Sequence, residues 1–174
     1  FCSRQLWSTK NTETQKEHSL MNWMNKKVAE SPYKLAILGG VIISIVASVV
    51  MANVQSWFPS FDFEGLSAVE QLLAGPPIIV ALLLFIVVIV SPILEEVFFR
   101  KFLWWISSFL FSQTTTLIVI SLLFVAAHGS IFHAIGLLPI SFFLGWLRIK
   151  TGSIKHCTAA HVANNAGASV FFFL

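Results

Sequence analysis

Pro76-Pro77-Ile78-Ile79-Val80-Ala81-Leu82-Leu83-Leu84-Phe85-Ile86-Val87-Val88-Ile89-Val90 runs without a charge straight into Ser91-Pro92-Ile93-Leu94-Glu95-Glu96-Val97-Phe98-Phe99-Arg100. The first part reads as a membrane helix. Proline in a first helical turn is tolerated because its missing N–H has no partner there anyway. The second part sets two carboxylates and a guanidinium in the same oily surroundings. A charged side chain at the bilayer centre costs about 2.5–3.5 kcal/mol on the most lenient insertion scale. Three such groups need partners, a polar cavity or a chemical task, so this stretch decides the fold and points to the function.

The rest of the composition agrees. The chain has 174 residues, is 56% hydrophobic and 11% charged, and has a mean hydropathy of +0.81. Soluble domains carry about 25% charged residues. The expected fold is all-α, a multi-pass transmembrane bundle of five to six membrane helices, with the lipid bilayer as its first partner. Six of the eleven basic residues lie in the first 34. The net charge of +3 and pI near 9.1 therefore describe a tail that reports orientation, not a surface for nucleic acid. Cys2 and Cys157 form no CxxC and no paired framework, and they do not identify a compartment. The chain opens on Phe1 and reads as a fragment or a processed product. Its basic, hydroxyl-rich start, Arg4 to Lys10, is faintly like an organelle transit tail, although Glu13 and Glu17 follow.

Three regions follow. Residues 1–34 are a polar, basic tail, helical around Leu20–Ala29. Residues 35–75 hold a first membrane helix, Leu35–Ala52, and a loop with Asp62, Glu64 and Glu70 and no basic residue. Residues 76–174 form the core. There Pro92 is expected to divide a span ending at Val90 from a helix over Ile93–Phe111. Further helices are expected at Leu117–His128, Ile131–Leu147 and His156–Leu174, with a basic turn at 148–155. The basic tail places the N-terminus in the cytosol. Six crossings would then put the basic turn outside, against the same rule, whereas a flat or re-entrant segment between Pro92 and His128 would return it inside.

Polar groups recur at helical spacing in this core. Residues four apart share a helix face, so Glu96 and Arg100 can pair. Glu95 lies about 100° around the helix and has no partner within one turn. A lone carboxylate in a low-dielectric site is a candidate for proton exchange; the alternative is a structural ion network. Phe124 and His128 share a face, and so do His161 and Asn165. A histidine can be a packing residue, a general base or a metal ligand. A His–Asn pair can clamp two helices or donate to a developing oxyanion. His18, His133 and His156 are set aside. A carboxylate, an imidazole and an imidazole–amide pair can together activate water and hold an oxyanion, which is peptide-hydrolysis chemistry. There is no GxSxG elbow, no aspartyl pair and no HExxH zinc motif.

Glu95-Glu96-x-x-x-Arg100, Phe124-x-x-x-His128 and His161-x-x-x-Asn165, with Thr151-Gly152-Ser153 before the last, resemble the three signature motifs of the CPBP intramembrane proteases. These are the type II CAAX prenyl endopeptidases and the bacteriocin-processing, Abi-type proteins. The resemblance covers about residues 76–172. It implies that Glu95 and His128 hold and activate the attacking water. His161 and Asn165 would form the oxyanion site, and Glu96 and Arg100, with Phe124, would order the structure around them. It leaves a metal open, with Glu95, His128 and His161 as the candidate ligands of a zinc ion. Zinc is allowed but not required. Lys101 stands where many members carry glycine, and the chain is short for the family.

The expected function is that of an intramembrane endopeptidase acting on a membrane-associated peptide or protein, with a prenylated CAAX tail or a bacteriocin leader among the substrates the resemblance implies. Two other classes stand beside it. One is a non-catalytic immunity or scaffold protein of the same fold. The other is a proton-coupled transporter, against which the lack of repeated halves argues.

Overall fold

The computed structural model describes residues 31–57, 74–129 and 131–172. The expected tail helix at Leu20–Ala29 and the acidic residues Asp62, Glu64 and Glu70 lie outside them. The described residues form helices only: α1 (Pro32–Trp57), α2 (Pro77–Ser108), α3 (Gln113–Ala127), α4 (Ile131–Thr151) and α5 (Ile154–Phe172). By length and apolar composition α1, α2 and residues 134–151 of α4 can each cross a membrane, and α3 is a shorter apolar helix. The chain is an integral membrane protein. Large apolar side chains such as Leu38, Ile42, Leu82, Phe85, Leu94 and Phe98 point outward. In water this would be a liability, but hydrocarbon solvates such a surface.

One expectation is corrected. Pro92 does not divide two helices, because α2 continues from Pro77 to Ser108. A proline inside an α-helix removes one N–H and its ring crowds the preceding turn. The chain meets this by widening. Ile86–Val90, just before Pro92, is π-helical, and so is Val97–Leu103. The Ser91 N–H reaches back five residues to the Ile86 carbonyl. The proline is housed in a bulge, which is how helices often absorb such an insult near functional positions.

The helix ends follow local chemistry. Pro76 precedes α2 in an extended conformation and Pro77 opens the helix, as the sequence suggested. α3 begins four residues before the expected Leu117 because Ser112 caps it, accepting from the Thr115 N–H at 3.2 Å. Gly152, at φ 64°, ends α4, and its N–H bonds the Arg148 carbonyl. Arg148 and Lys150, assigned to a basic turn from sequence, therefore lie in the last turn of α4.

Contacts along the chain fix the directions. A Cβ on Gly40 would strike the Ala160 carbonyl, and one on Gly167 would strike Ser44, so α1 and α5 run parallel at close approach. Gly39 faces Phe143, and Gly136 faces Ala47, so α4 runs against α1. The bundle is therefore up-down, and the α4–α5 turn returns to the side where α1 begins. Lys34, Arg148, Lys150 and Lys155 share that side. Continuity through Pro92 removes the extra crossing that had made the charge pattern contradictory.

Two apolar clusters flank the interior polar groups. One joins Ala36, Ile140, Leu144, Leu147, Cys157 and Ala160 on α1, α4 and α5. The other joins Phe99, Trp104, Ile120 and Phe124 on α2 and α3.

Candidate active site

Glu96 and Arg100 sit among these clusters, both fully buried. One turn apart on α2, they pair as the spacing predicts, Arg100 Nη1 donating to Glu96 Oε1 at 3.1 Å. Arg100 then reaches α4, where Nη2 donates to Ser141 Oγ at 2.8 Å and to the Ser141 carbonyl at 3.3 Å. Ser141 Oγ in turn donates to the Ser121 carbonyl on α3 at 3.4 Å. The guanidinium also stacks on the Phe124 ring, 4.4 Å from its centroid. A buried guanidinium needs several such partners to offset its desolvation.

His161 brings α5 to the same carboxylates. Its Nδ1 lies 3.0 Å from Glu96 Oε1, and its Nε2 lies 3.7 Å from Glu95 Oε2. The imidazole thus stands between the two glutamates. With the His161 ring protonated, Glu95, Glu96, Arg100 and His161 would form a set whose formal charges cancel.

Glu95 differs from its neighbour. It is partly exposed, at 24% of its side-chain surface, where Glu96 shows none. Ser91, one turn earlier, donates to Glu95 Oε1 at 2.6 Å. Glu95 Oε2 is buried and has no hydrogen-bond partner among the described residues. One oxygen is tethered and the other is open toward His161. Such an orphaned acceptor is costly unless something fills the place.

His128 ends α3. Its Nδ1 lies 2.8 Å from the Phe124 carbonyl. A carbonyl only accepts, so Nδ1 carries the proton, and the neutral ring keeps its lone pair on Nε2. The residue is exposed on the bare chain. Phe124 touches both imidazoles, with ring centroids 4.7 Å from His128 and 5.7 Å from His161.

Asn165 shares the His161 face of α5 and points to the upstream bulge, where Nδ2 donates to the Val87 carbonyl at 3.0 Å. Asn164 Nδ2 donates to Asn165 Oδ1 at 3.2 Å. The second N–H of the Asn165 amide is not used by these bonds. Cys157, on the same α5 face as His161, is buried, and its Sγ–H faces the Leu144 carbonyl at 3.3 Å. It is a packing thiol.

The structure thus gathers Glu95, Glu96, Arg100, Phe124 and His161 by direct contact. It adds His128 through Phe124, and it places Asn165 one turn beyond His161. Sequence reasoning missed Ser91, although Ser91 and Glu95 have the same four-residue spacing that exposed the other pairs. It also missed Ser141, for which a lone serine in an apolar helix gives no local signal. Arg148 was read only as basic, yet its Nε donates to the Arg100 carbonyl in the second π segment. A zinc ion needs three protein ligands besides an open position. Glu95 Oε2 and His161 Nε2 form a pair, and among the described residues no three His, Cys, Asp or Glu side chains come together to hold a metal. The described geometry does not fit a three-ligand zinc site.

The model of the type II CAAX prenyl endopeptidase Rce1-like family matches residues 77–167, just over half of the chain and the whole of the gathered site. The chain belongs to this Rce1-like family. No curated protein and no solved structure matches it significantly. The Rce1-like match begins where α2 begins and ends within α5, so it contains Glu95, Glu96, Arg100, Phe124, His128, His161 and Asn165, and excludes α1. In this Rce1-like chain α1 nonetheless packs tightly along α5, behind the helix that carries His161 and Asn165.

Proposed function

We propose that this protein is an intramembrane endopeptidase that hydrolyses a peptide bond in a membrane-associated, prenylated CAAX-type substrate. One observation carries the reading: Glu95 Oε2 is buried, unpartnered and 3.7 Å from His161 Nε2, while Oε1 is held by Ser91. A carboxylate with one oxygen fixed and one open is suited to be a general base.

On this reading a water lies against Glu95 Oε2 and the Nε2 lone pair of His128. Glu95 takes its proton as the oxygen attacks the scissile carbonyl carbon. A C–O bond forms, and the carbonyl π pair moves to oxygen. In its imidazolium form His161, through Nε2–H, and the free N–H of Asn165 donate to that oxyanion, the step at which fixed donors contribute most. The C–N bond then breaks, and Glu95 returns the proton to the leaving amine. Glu96 holds His161 through Nδ1, and Arg100 with Ser141 and Phe124 holds Glu96. A membrane site must build its own polar cavity because the bilayer supplies little water. The side bearing Lys34, Arg148, Lys150 and Lys155 faces the cytosol by the charge rule.

The test is cleavage of a farnesylated CAAX peptide by the purified protein in detergent or proteoliposomes. The expected result is release of the terminal tripeptide, abolished in Glu95→Gln. A folded wild-type protein that leaves the peptide intact, or a Glu95→Gln variant that cleaves at the wild-type rate, overturns the reading.

A further inference from the structure

The first π segment leaves one carbonyl in an unusual state. In π geometry each carbonyl bonds the N–H five residues on. Ile86 does so with Ser91. The next carbonyl, Val87, falls to residue 92, which is proline and has no N–H. An unpaired carbonyl at bilayer depth costs several kcal/mol. Here the missing donor is supplied from another helix, by Asn165 Nδ2 at 3.0 Å. The other end of that amide is held too, because Asn164 donates to Asn165 Oδ1 at 3.2 Å. Proline, bulge and amide form one device.

We infer that Pro92 is a positioning residue: it keeps the Val87 carbonyl free of a main-chain donor, so that this oxygen fixes the Asn165 amide on the catalytic face of α5. The inference rests on the proposed proteolysis only for what the fixed amide then does. The anchoring itself rests on the geometry alone. Any residue with an N–H at position 92 would weaken it. If the bulge persisted, that N–H would bond Val87. If α-geometry returned, the Ser91 N–H would bond Val87 instead. Either way the carbonyl gains a main-chain donor, the Asn165 bond no longer has a bare acceptor to satisfy, and the amide is held less firmly. The proline therefore does more than kink a helix, because its missing proton is replaced by a side chain that also faces the reaction.

Pro92→Ala is the informative variant, since alanine suits a helix and the protein should fold. The cycle comprises Pro92→Ala, Asn165→Ala and the double variant, assayed on the farnesylated peptide and by thermal unfolding, with Glu95→Gln as the control. Loss of an oxyanion donor lowers kcat by about a hundredfold or more, and this is expected for Asn165→Ala. Pro92→Ala is expected to lower kcat by about tenfold while leaving KM unchanged, because the donor acts in the transition state. The double variant should be no worse than Asn165→Ala. Asn165→Ala should lower the unfolding temperature when residue 92 is proline and lower it much less when residue 92 is alanine. A wild-type kcat in Pro92→Ala, or a double variant that multiplies the two losses, overturns the inference while an inactive Glu95→Gln leaves the protease reading standing. If Glu95→Gln still cleaves, that reading falls. The unfolding cycle then decides the anchor, and an equal drop in both backgrounds rejects it.

Discussion

His161 is bonded to Glu96, not to Glu95: its Nδ1 lies 3.0 Å from Glu96 Oε1, and only its other nitrogen faces Glu95, at 3.7 Å. Two carboxylates adjacent in sequence thereby acquire different surroundings. Glu96 is fully buried between Arg100 and His161, and Glu95 is partly exposed with Ser91 on one oxygen.

Glu96→Gln should cost stability. It leaves Arg100 and the Nδ1 side of His161 without a buried counter-charge, and breaking a buried pair typically costs about 3–5 kcal/mol. Glu95→Gln should unfold at or near the wild-type temperature and have no activity. Thermal unfolding in detergent beside the cleavage assay separates the two. Equal inactivity with unchanged stability in both variants contradicts this division of roles.

Ser91→Ala removes the tether on Glu95 Oε1 and leaves the helix intact. The carboxylate then samples other rotamers, so kcat should fall by about tenfold, the scale expected when a catalytic group loses its orientation. The unfolding temperature should fall by no more than about 2–4 °C, because the loss of one hydrogen bond of this kind is worth about 1 kcal/mol. Full activity in Ser91→Ala would show that Glu95 is held by something else.

Gly40→Ala tests the packing of α1 behind the site. The new methyl would meet the Ala160 carbonyl, a backbone atom that cannot swing away. Overpacking of this kind costs about 1–3 kcal/mol. A lower unfolding temperature is expected, and a wild-type value would mean that α1 and α5 do not approach as described.

Cys157→Ser should keep most of the activity, and thiol reagents should inhibit weakly. The thiol is buried among α1, α4 and α5 residues and directed at the Leu144 carbonyl. Full inactivation by Cys157→Ser would point to a cysteine nucleophile instead.

Chelators are expected not to inhibit, because the described side chains offer two of the three ligands that a catalytic zinc needs. Stoichiometric zinc whose removal and return switch activity off and on would reverse this expectation and leave the peptidase assignment in place.

The sequence by itself determined what depends on neighbours along the chain. Uncharged runs marked α1 and α2, paired prolines marked the start of α2, and four-residue spacing marked Glu96 with Arg100, Phe124 with His128, and His161 with Asn165. These are periodic signals, and a helix converts period into a shared face. Only the tertiary structure decided which face met which. That Arg100 ends on Ser141 depends on how α2 crosses α4, and that His161 takes Glu96 rather than Glu95 depends on the rotation of α5. Pro92 is the clearest case. Locally a proline inside a helix removes a hydrogen bond, and sequence logic read a break. The bundle kept α2 whole because a π turn made room for the ring and Asn165, 73 residues away in the chain, supplied the donor that the backbone lacked.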